Sequence, residues 1–391
     1  MTAPDTTPLI LWIDDPDAAG SRLLGGKFGS LAEMTAAGFA VPGGFGITTS
    51  AYRYFLESAG LAGRAREVRA QAAGADLAAV QQISAEFTAA IEAAPIPPDL
   101  EAAIREAYAE LERRTGRPGQ PVAVRSSGES EDLAGASFAG QYDTFLWIHG
   151  AEEVLRYVRR CWAGMFGAAV LTYRPEISTG TGASVGTGSA AALADHGICV
   201  GVQQMVEARS AGVMFTLDPV TGDRSKVVIE GCWGLGEGVV SGGITPSRYV
   251  VDKVTFEILR RDVTPQESQF SFDTERNAVG LIPVRPERRE STCLEDAHIN
   301  ALATLAKTIE RHRGAPQDIE WAVSETGDVH VLQVRPETVW SARQASQLVT
   351  ERKSAVSHVL ARFAGVGVVP ANGPAPGAGP GAPRAGGPGR P

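Results

Sequence analysis

The chain has 391 residues, of which 43% are hydrophobic and 21% are charged, and its formal net charge is −9. This composition is typical of a soluble globular protein that is large enough for two or three packed lobes. The acidic balance argues against a nucleic-acid partner, and no stretch approaches the roughly 20 apolar residues that a membrane helix needs. The four cysteines are far apart and contain no CxxC pair, so we expect a cytoplasmic protein with no disulfide framework.

Composition along the chain indicates six consecutive segments. They are an N-terminal leader (1–19), an N-terminal lobe (20–177), a Gly/Ser/Thr-rich loop (178–192), a C-terminal lobe (193–345), a C-terminal helix (346–364) and a Gly/Pro/Ala-rich tail (365–391). The tail cannot bury enough apolar surface to offset the entropy of ordering it, so we expect it to be disordered.

The predicted elements change from helices to strands along the chain. Helical spacing of apolar residues predicts helices in KFGSLAEMTAA, in TSAYRYFLESAG and at 76–92, 98–114, 152–173 and 294–312. Strands are predicted in PVAVRSS, ICVGVQQMV, AGVMFTL, SKVVIEG and SRYVVDKVTFEIL, followed by a hairpin at 317–338. This order indicates an α+β fold with a helix-rich first lobe, a strand-rich second lobe and a cleft between them.

The hairpin QDIEWAVSETGDVHVLQVRPET carries an unusual set of polar residues. If Thr326 and Gly327 form a two-residue turn, Glu320 pairs with Gln333 and Asp318 pairs with Arg335. These four side chains then share one face, because side chains alternate along a strand. The apolar set should form the opposite, core face; its predicted pairs are Ile319 with Val334, Trp321 with Leu332 and Val323 with His330.

The polar face of the hairpin has two interpretations. One is a half-exposed sheet with an Asp–Arg pair worth about 0.2–1 kcal/mol, and the geometry alone favours it. The other is a ligand site, since carboxylate and amide oxygens suit Mg²⁺ and a guanidinium group binds phosphate through two parallel hydrogen bonds.

Two basic residues of the predicted N-terminal lobe also lie in sequence contexts that are typical of anion-binding sites. Lys27 follows Gly25 and Gly26 at a predicted helix start, although an ordinary helix-start turn explains this pattern equally well. Arg125 ends a buried strand and is followed by a stretch rich in Gly, Ser and Ala that runs to Thr144. Such a stretch can fold over phosphates, or it can be a mobile surface loop.

The segment VQQMV offers a third type of contact. The backbone edge near Gln204 and Val206 could hydrogen-bond adenine while Met205 packs on the base, although a core strand with an ordinary methionine is the more frequent case.

Together these segments resemble the nucleotide-binding domain of the pyruvate phosphate dikinase and phosphoenolpyruvate synthase family, also found in rifampin phosphotransferases and the small subunit of phenylphosphate synthase. The matching stretches are GGKFGSLAEM, VPGGFGITTSAY, VAVRSSGESEDLAGASFAGQYDTFL, VQQMV, AGVMFTLDPVTG, GLGEGVVSG, DIEWAV and LQVRPETVW. They occur in the family's order and span roughly residues 20–341.

The resemblance implies an ATP-grasp-like fold that binds ATP and Mg²⁺ between two lobes. The implied roles are phosphate binding and catalysis by Lys27, Arg125 and Arg335, phosphate covering by Gly140 and Thr144, adenine binding by Gln204, Met205 and Val206, and Mg²⁺ binding by Glu320 and Gln333 with Asp318 nearby.

The resemblance also implies a partner. Full family members carry a swivelling domain whose phosphorylated histidine lies in a TSHAA-like context, and none of the six histidines here has that setting. We therefore expect this chain to pass a phosphoryl group from ATP to a histidine on a partner polypeptide, leaving AMP and phosphate, with pyruvate, a phenol or a similar small molecule as final acceptor. The alternatives are a non-catalytic nucleotide-binding or regulatory module and a self-contained small-molecule kinase.

Overall fold

Residues 7–129, 143–172, 197–338 and 340 are described by a computed structural model. They all belong to one compact unit, and residues 343–391 lie outside the described residues. The predicted loop at 178–192, the predicted helix at 346–364, the predicted disordered tail at 365–391 and Gly140 also lie outside the described residues.

The predicted helices are confirmed to within a few residues, with one exception, and the helices Ala62–Ala72 and Glu237–Val240 were not predicted. The described α-helices are α1 (Gly25–Ala36), α2 (Thr49–Ser58), α3 (Ala62–Ala72), α4 (Leu77–Ala93), α5 (Pro98–Thr115), α6 (Ala151–Gly164), α7 (Ala168–Thr172), α8 (Glu237–Val240) and α9 (Asp296–Arg313), and short 3₁₀ helices cover Arg22–Leu24 and Pro286–Arg288. The exception is the helix predicted at 152–173, which is divided into α6 and α7. None of the helices in this part of the chain is both long enough and apolar enough to cross a membrane.

The first sheet is antiparallel and has the strand order β1-β2-β5-β3-β4. Its strands are β1 (Ile10–Trp12), β2 (Gly44–Ile47), β3 (Val122–Gly128), β4 (Thr144–Ile148) and β5 (Ile198–Gln204). Helices α2–α6 and the central strands share one core, in which the Phe55 and Trp162 rings stack with centroids 4.5 Å apart.

Two strands of this sheet differ from the division that we drew along the sequence. Residues 1–19 were set apart as a leader, but β1 pairs with β2 because Leu11 and Ile13 are buried beside Leu24 and Phe28. The C-terminal lobe was expected to begin at residue 193, but β5 lies in the middle of the first sheet. Composition could not reveal either pairing, since both strands join partners that are distant in sequence.

The second sheet is also antiparallel and has the order β13-β12-β6-β7-β8-β9. Its strands are β6 (Ala208–Phe215), β7 (Lys226–Trp233), β8 (Ser247–Asp252), β9 (Ile258–Asp262), β12 (Gln317–Ser324) and β13 (Val329–Pro336), and a separate hairpin is formed by β10 (Ser268–Asp273) and β11 (Ala278–Pro283). Helix α9 covers one face, where Leu302 and Ile309 pack with the fully buried Trp321. The chain is therefore built of both helices and sheets.

The register of the β12–β13 hairpin agrees with prediction at one end and differs at the other. Asp318 pairs with Arg335 and Glu320 pairs with Gln333, as predicted. A register shift after Glu320 then places Trp321 opposite Val331, so the predicted pairing of Trp321 with Leu332 is wrong. Val331 is fully buried in the core, whereas Leu332 turns to the other side of the sheet.

Candidate functional site

Helix α1 is held against the first sheet by its first turn, and this contact positions Lys27. Gly25 has a φ of +62°, and a Cβ on this residue would lie 2.1 Å from the Ser127 carbonyl oxygen of β3. Ser127 Oγ donates to Leu24 O at 2.7 Å and accepts from the Phe28 N–H at 3.1 Å. Gly25 therefore allows α1 to approach β3 closely. This structural role favours the interpretation of Gly25 as part of an ordinary helix start.

Arg125 projects from β3 of the first sheet to β13 of the second. Its Nη1 donates to Leu332 O at 3.1 Å, its Nη2 donates to Gln333 Oε1, and Nη2 lies 3.9 Å from Glu320 Oε2. Arg125 is only 7% exposed, so the guanidinium is almost fully desolvated. A single buried cation thus links the two sheets at the polar face of the hairpin.

Arg335 is fixed by the neighbouring strand. Its Nε donates to Asp318 Oδ2 at 2.8 Å, and the two residues are paired across β12 and β13. Burial raises the pKa of Asp318, and the charge of Arg335 opposes this shift. Asp318 does not line the adjacent cavity, and its contact with Arg335 fixes the orientation of that guanidinium group.

A cavity of about 190 Å³ lies between the two sheets, and most of the predicted site residues line it. Those that do are Lys27, Arg125, Thr144, Gln204, Met205, Val206, Glu320, Gln333 and Arg335. The cavity has two chemically different regions. The charged groups named above form one, and a buried apolar cluster of Ala123, Met205 and Leu235 forms the other. Such a division suits a ligand that has an anionic part and a flat apolar part.

The connection from β5 to β6 forms the edge of the apolar region. The Gln204 N–H donates to Gly43 O at 2.8 Å, and the Met205 N–H donates to Pro121 O at 2.9 Å. Within the described ranges, the Val206 N–H donates no hydrogen bond. Of the three backbone N–H groups expected near a base, Val206 is therefore the one that remains available.

The residues of the cavity wall that the sequence analysis missed include Leu235 and Glu237. Both belong to the stretch GLGEGVVSG, which the sequence analysis used only as one of the stretches that resemble the family. Gly234 lies close to the neighbouring hairpin, because a Cβ there would be 2.3 Å from Phe270 O. The lone acidic residue between glycines was the available signal for this part of the wall.

The chemistry of Glu320 and Gln333 fits a magnesium ion. Both present hard oxygen donors to the same cavity, and the side chain of Glu320 remains 21% exposed. Within residues 7–129, 143–172, 197–338 and 340, no group of three or more His, Cys, Asp or Glu side chains has metal-binding geometry. A small protein ligand set suits Mg²⁺, which usually takes one or two carboxylates and completes its shell with water and substrate phosphates.

Known proteins resemble this chain in sequence over most of its length. Residues 21–355 match the family of the pyruvate phosphate dikinase AMP/ATP-binding domain. A probable phosphoenolpyruvate synthase from Methanothermobacter thermautotrophicus is 43% identical over 319 residues, which cover 81% of this chain and 44% of that protein. The phosphoenolpyruvate synthase from Aeropyrum pernix is 36% identical over 368 residues, covering 86% of this chain and 43% of that protein. The chain thus spans less than half the length of these relatives.

Proposed function

Because the chain belongs to the family of the pyruvate phosphate dikinase AMP/ATP-binding domain, we propose that it binds Mg-ATP between its two sheets and passes on a phosphoryl group. The arrangement we infer is ATP-grasp-like, with the base in the apolar region and the triphosphate in the charged region. The relatives belong to an ATP-binding phosphotransferase family, and this relationship supports the proposal.

The observation that carries the proposal is the convergence of five polar residues, from four elements, on one cavity. Lys27 comes from α1, Arg125 from β3, Glu320 from β12, and Gln333 and Arg335 from β13. A half-exposed surface sheet would not bring a lysine and an arginine from the first 125 residues to this hairpin. The ligand-site interpretation of the hairpin is therefore the better supported one.

Each of these residues has a definite role in the proposal. The basic side chains of Lys27, Arg125 and Arg335 would neutralise the phosphate charge and align the phosphoryl groups. Charge neutralisation and alignment supply most of the catalysis in phosphoryl transfer. Glu320 and Gln333 would hold Mg²⁺, which withdraws charge from the phosphate oxygens when bound. Thr144 would contact the phosphates beside Arg125, with which it pairs across β3 and β4.

The acceptor that we propose is a histidine on another domain or polypeptide. The net change would be ATP and water to AMP and phosphate, with one phosphoryl group retained on the histidine for a small acceptor such as pyruvate or a phenol. The partial coverage of the relatives is consistent with this division, since more than half of each lies outside the matched region.

Labelled ATP tests this function. The chain would be incubated with Mg²⁺ and either β- or γ-labelled ATP, alone and together with the remaining part of the Methanothermobacter relative. We expect AMP only in the mixture, with the β label on a histidine of the added fragment. ADP with transfer of the γ label would indicate an ordinary kinase, and ATP binding without turnover in either sample would indicate a regulatory module.

A further inference from the structure

Glu237 occupies a position between the two regions of the cavity. It is the first residue of α8 and lines the cavity together with Leu235, which packs with Met205 in the apolar cluster. Glu320 of the charged region lines the same cavity, and burial and the Glu320 carboxylate both raise the pKa of Glu237. Glu237 thus lies where the proposed base site meets the proposed phosphate site.

The Glu237 carboxylate differs from the neighbouring acids in its contacts. Asp318 is bonded to Arg335, and Glu320 lies 3.9 Å from Arg125. Among the described residues, by contrast, the Glu237 carboxylate has neither an ion-pair partner nor a hydrogen-bond donor. A partly buried carboxylate without donors is costly, and it offers two acceptor oxygens to whatever enters the cavity.

The order of chemical groups in a nucleotide identifies the donors that this carboxylate can meet. The sugar lies between base and triphosphate, and ribose carries two neighbouring hydroxyl groups. We propose that the Glu237 carboxylate accepts hydrogen bonds from the 2′- and 3′-hydroxyls of the nucleotide, so that this residue makes the site selective for ribonucleotides. This inference rests on the proposed function, since it requires that the cavity bind ATP.

The competing role for Glu237 is metal binding beside Glu320. The two roles predict different behaviour toward the sugar. A metal ligand contributes equally whichever sugar is present and only when the metal is present, whereas a sugar ligand contributes only to nucleotides that carry the hydroxyls and does so without metal.

Binding of ATP and of 2′,3′-dideoxy-ATP to the full chain tests the assignment by isothermal titration calorimetry, in Mg²⁺ and in EDTA. We expect the wild-type chain to bind dideoxy-ATP about 10- to 100-fold more weakly than ATP, as the loss of hydrogen bonds to a charged group predicts. Glu237→Ala should bind both nucleotides equally, with the affinity of wild type for dideoxy-ATP. The preference for ATP should persist in EDTA.

Two further variants control for folding. Glu237→Gln keeps the size of the side chain and one acceptor oxygen, so it should retain part of the preference for ATP. Glu275→Gln removes an exposed carboxylate in the β10–β11 turn and should match wild type. Equal wild-type affinities for the two nucleotides, or a Glu237→Ala variant that weakens both alike, would overturn the ribose contact. A wild-type chain that binds no ATP would refute the proposed function and this inference with it.

Discussion

Replacement of Arg125 by lysine tests whether one buried cation both joins the two sheets and binds phosphate. The guanidinium reaches Leu332 O and Gln333 Oε1 through two different nitrogens and is 7% exposed. A lysine keeps the charge, but its donors all sit on one nitrogen and its reach is shorter, so we expect it to replace only one of the two bonds. Loss of one charge-assisted bond, together with the buried acceptor it leaves, should lower the free energy of unfolding by about 2–4 kcal/mol.

The same substitution should weaken ATP binding by a separate route. A guanidinium binds phosphate through two parallel hydrogen bonds, and an ammonium group does not. We expect an affinity about 10- to 100-fold lower than that of wild type in calorimetry. The matched control is Arg113→Lys, whose side chain is 58% exposed and pairs with Glu106 on the surface of α5. Exposed ion pairs contribute about 0.2–1 kcal/mol to stability. The control should therefore change the free energies of unfolding and of ATP binding by no more than that amount.

Urea unfolding followed by circular dichroism, with the same samples used for calorimetry, separates the two effects. An Arg125→Lys midpoint equal to that of wild type would show that Arg125 does not hold the sheets together. Wild-type ATP affinity in the same variant would remove Arg125 from the phosphate site, whatever the unfolding data show.

Three further predictions concern single residues. In urea unfolding, Gly25→Ala should lower the free energy of unfolding by about 3–5 kcal/mol, because the added Cβ would meet β3 in a backbone conformation that favours glycine. The control Gly20→Ala has positive φ but open space around it, so it should lower the free energy of unfolding by only about 1–2 kcal/mol. Equal losses in the two variants would contradict the close approach of α1 to β3. Glu320→Ala should reduce labelled phosphoryl transfer at least about 100-fold while leaving the unfolding midpoint almost unchanged, and a wild-type rate would exclude it from the site. Glu237→Gln should stabilise the ligand-free chain by roughly 0.5 kcal/mol in thermal unfolding, because it removes a half-buried charge that faces Glu320, and a destabilised variant would contradict this reasoning.

Local patterns predicted most of the helices, since their apolar spacing and their ends are written in neighbouring residues. The same patterns failed where the contact partner is distant in sequence. β1 and β5 join strands that composition assigns elsewhere, and the position of Gly25 is explained only by Ser127 of β3. Glu237 was missed for the same reason, because a single acid between glycines has no local feature that connects it to the hairpin more than 80 residues later.

In the β12–β13 hairpin, the two predicted polar residue pairs are confirmed although the predicted turn is wrong. The Ser324 N–H donates to Asp328 O at 2.9 Å, so the connection is one residue longer than the predicted two-residue turn. The register shift after Glu320 adds one residue to β13, which restores the predicted pairing of Glu320 with Gln333.

The bulge associated with this shift also bears on ligand entry. It leaves Leu332 lining the cavity, where its carbonyl and Gln333 both accept from Arg125. The cavity of about 190 Å³ is smaller than the roughly 300–1,000 Å³ of most ligand pockets. Under the proposed function, Arg125 would exchange these protein acceptors for phosphate oxygens when a triphosphate binds. That exchange would free Gln333 Oε1 for the proposed metal ion and would release this link between the two sheets.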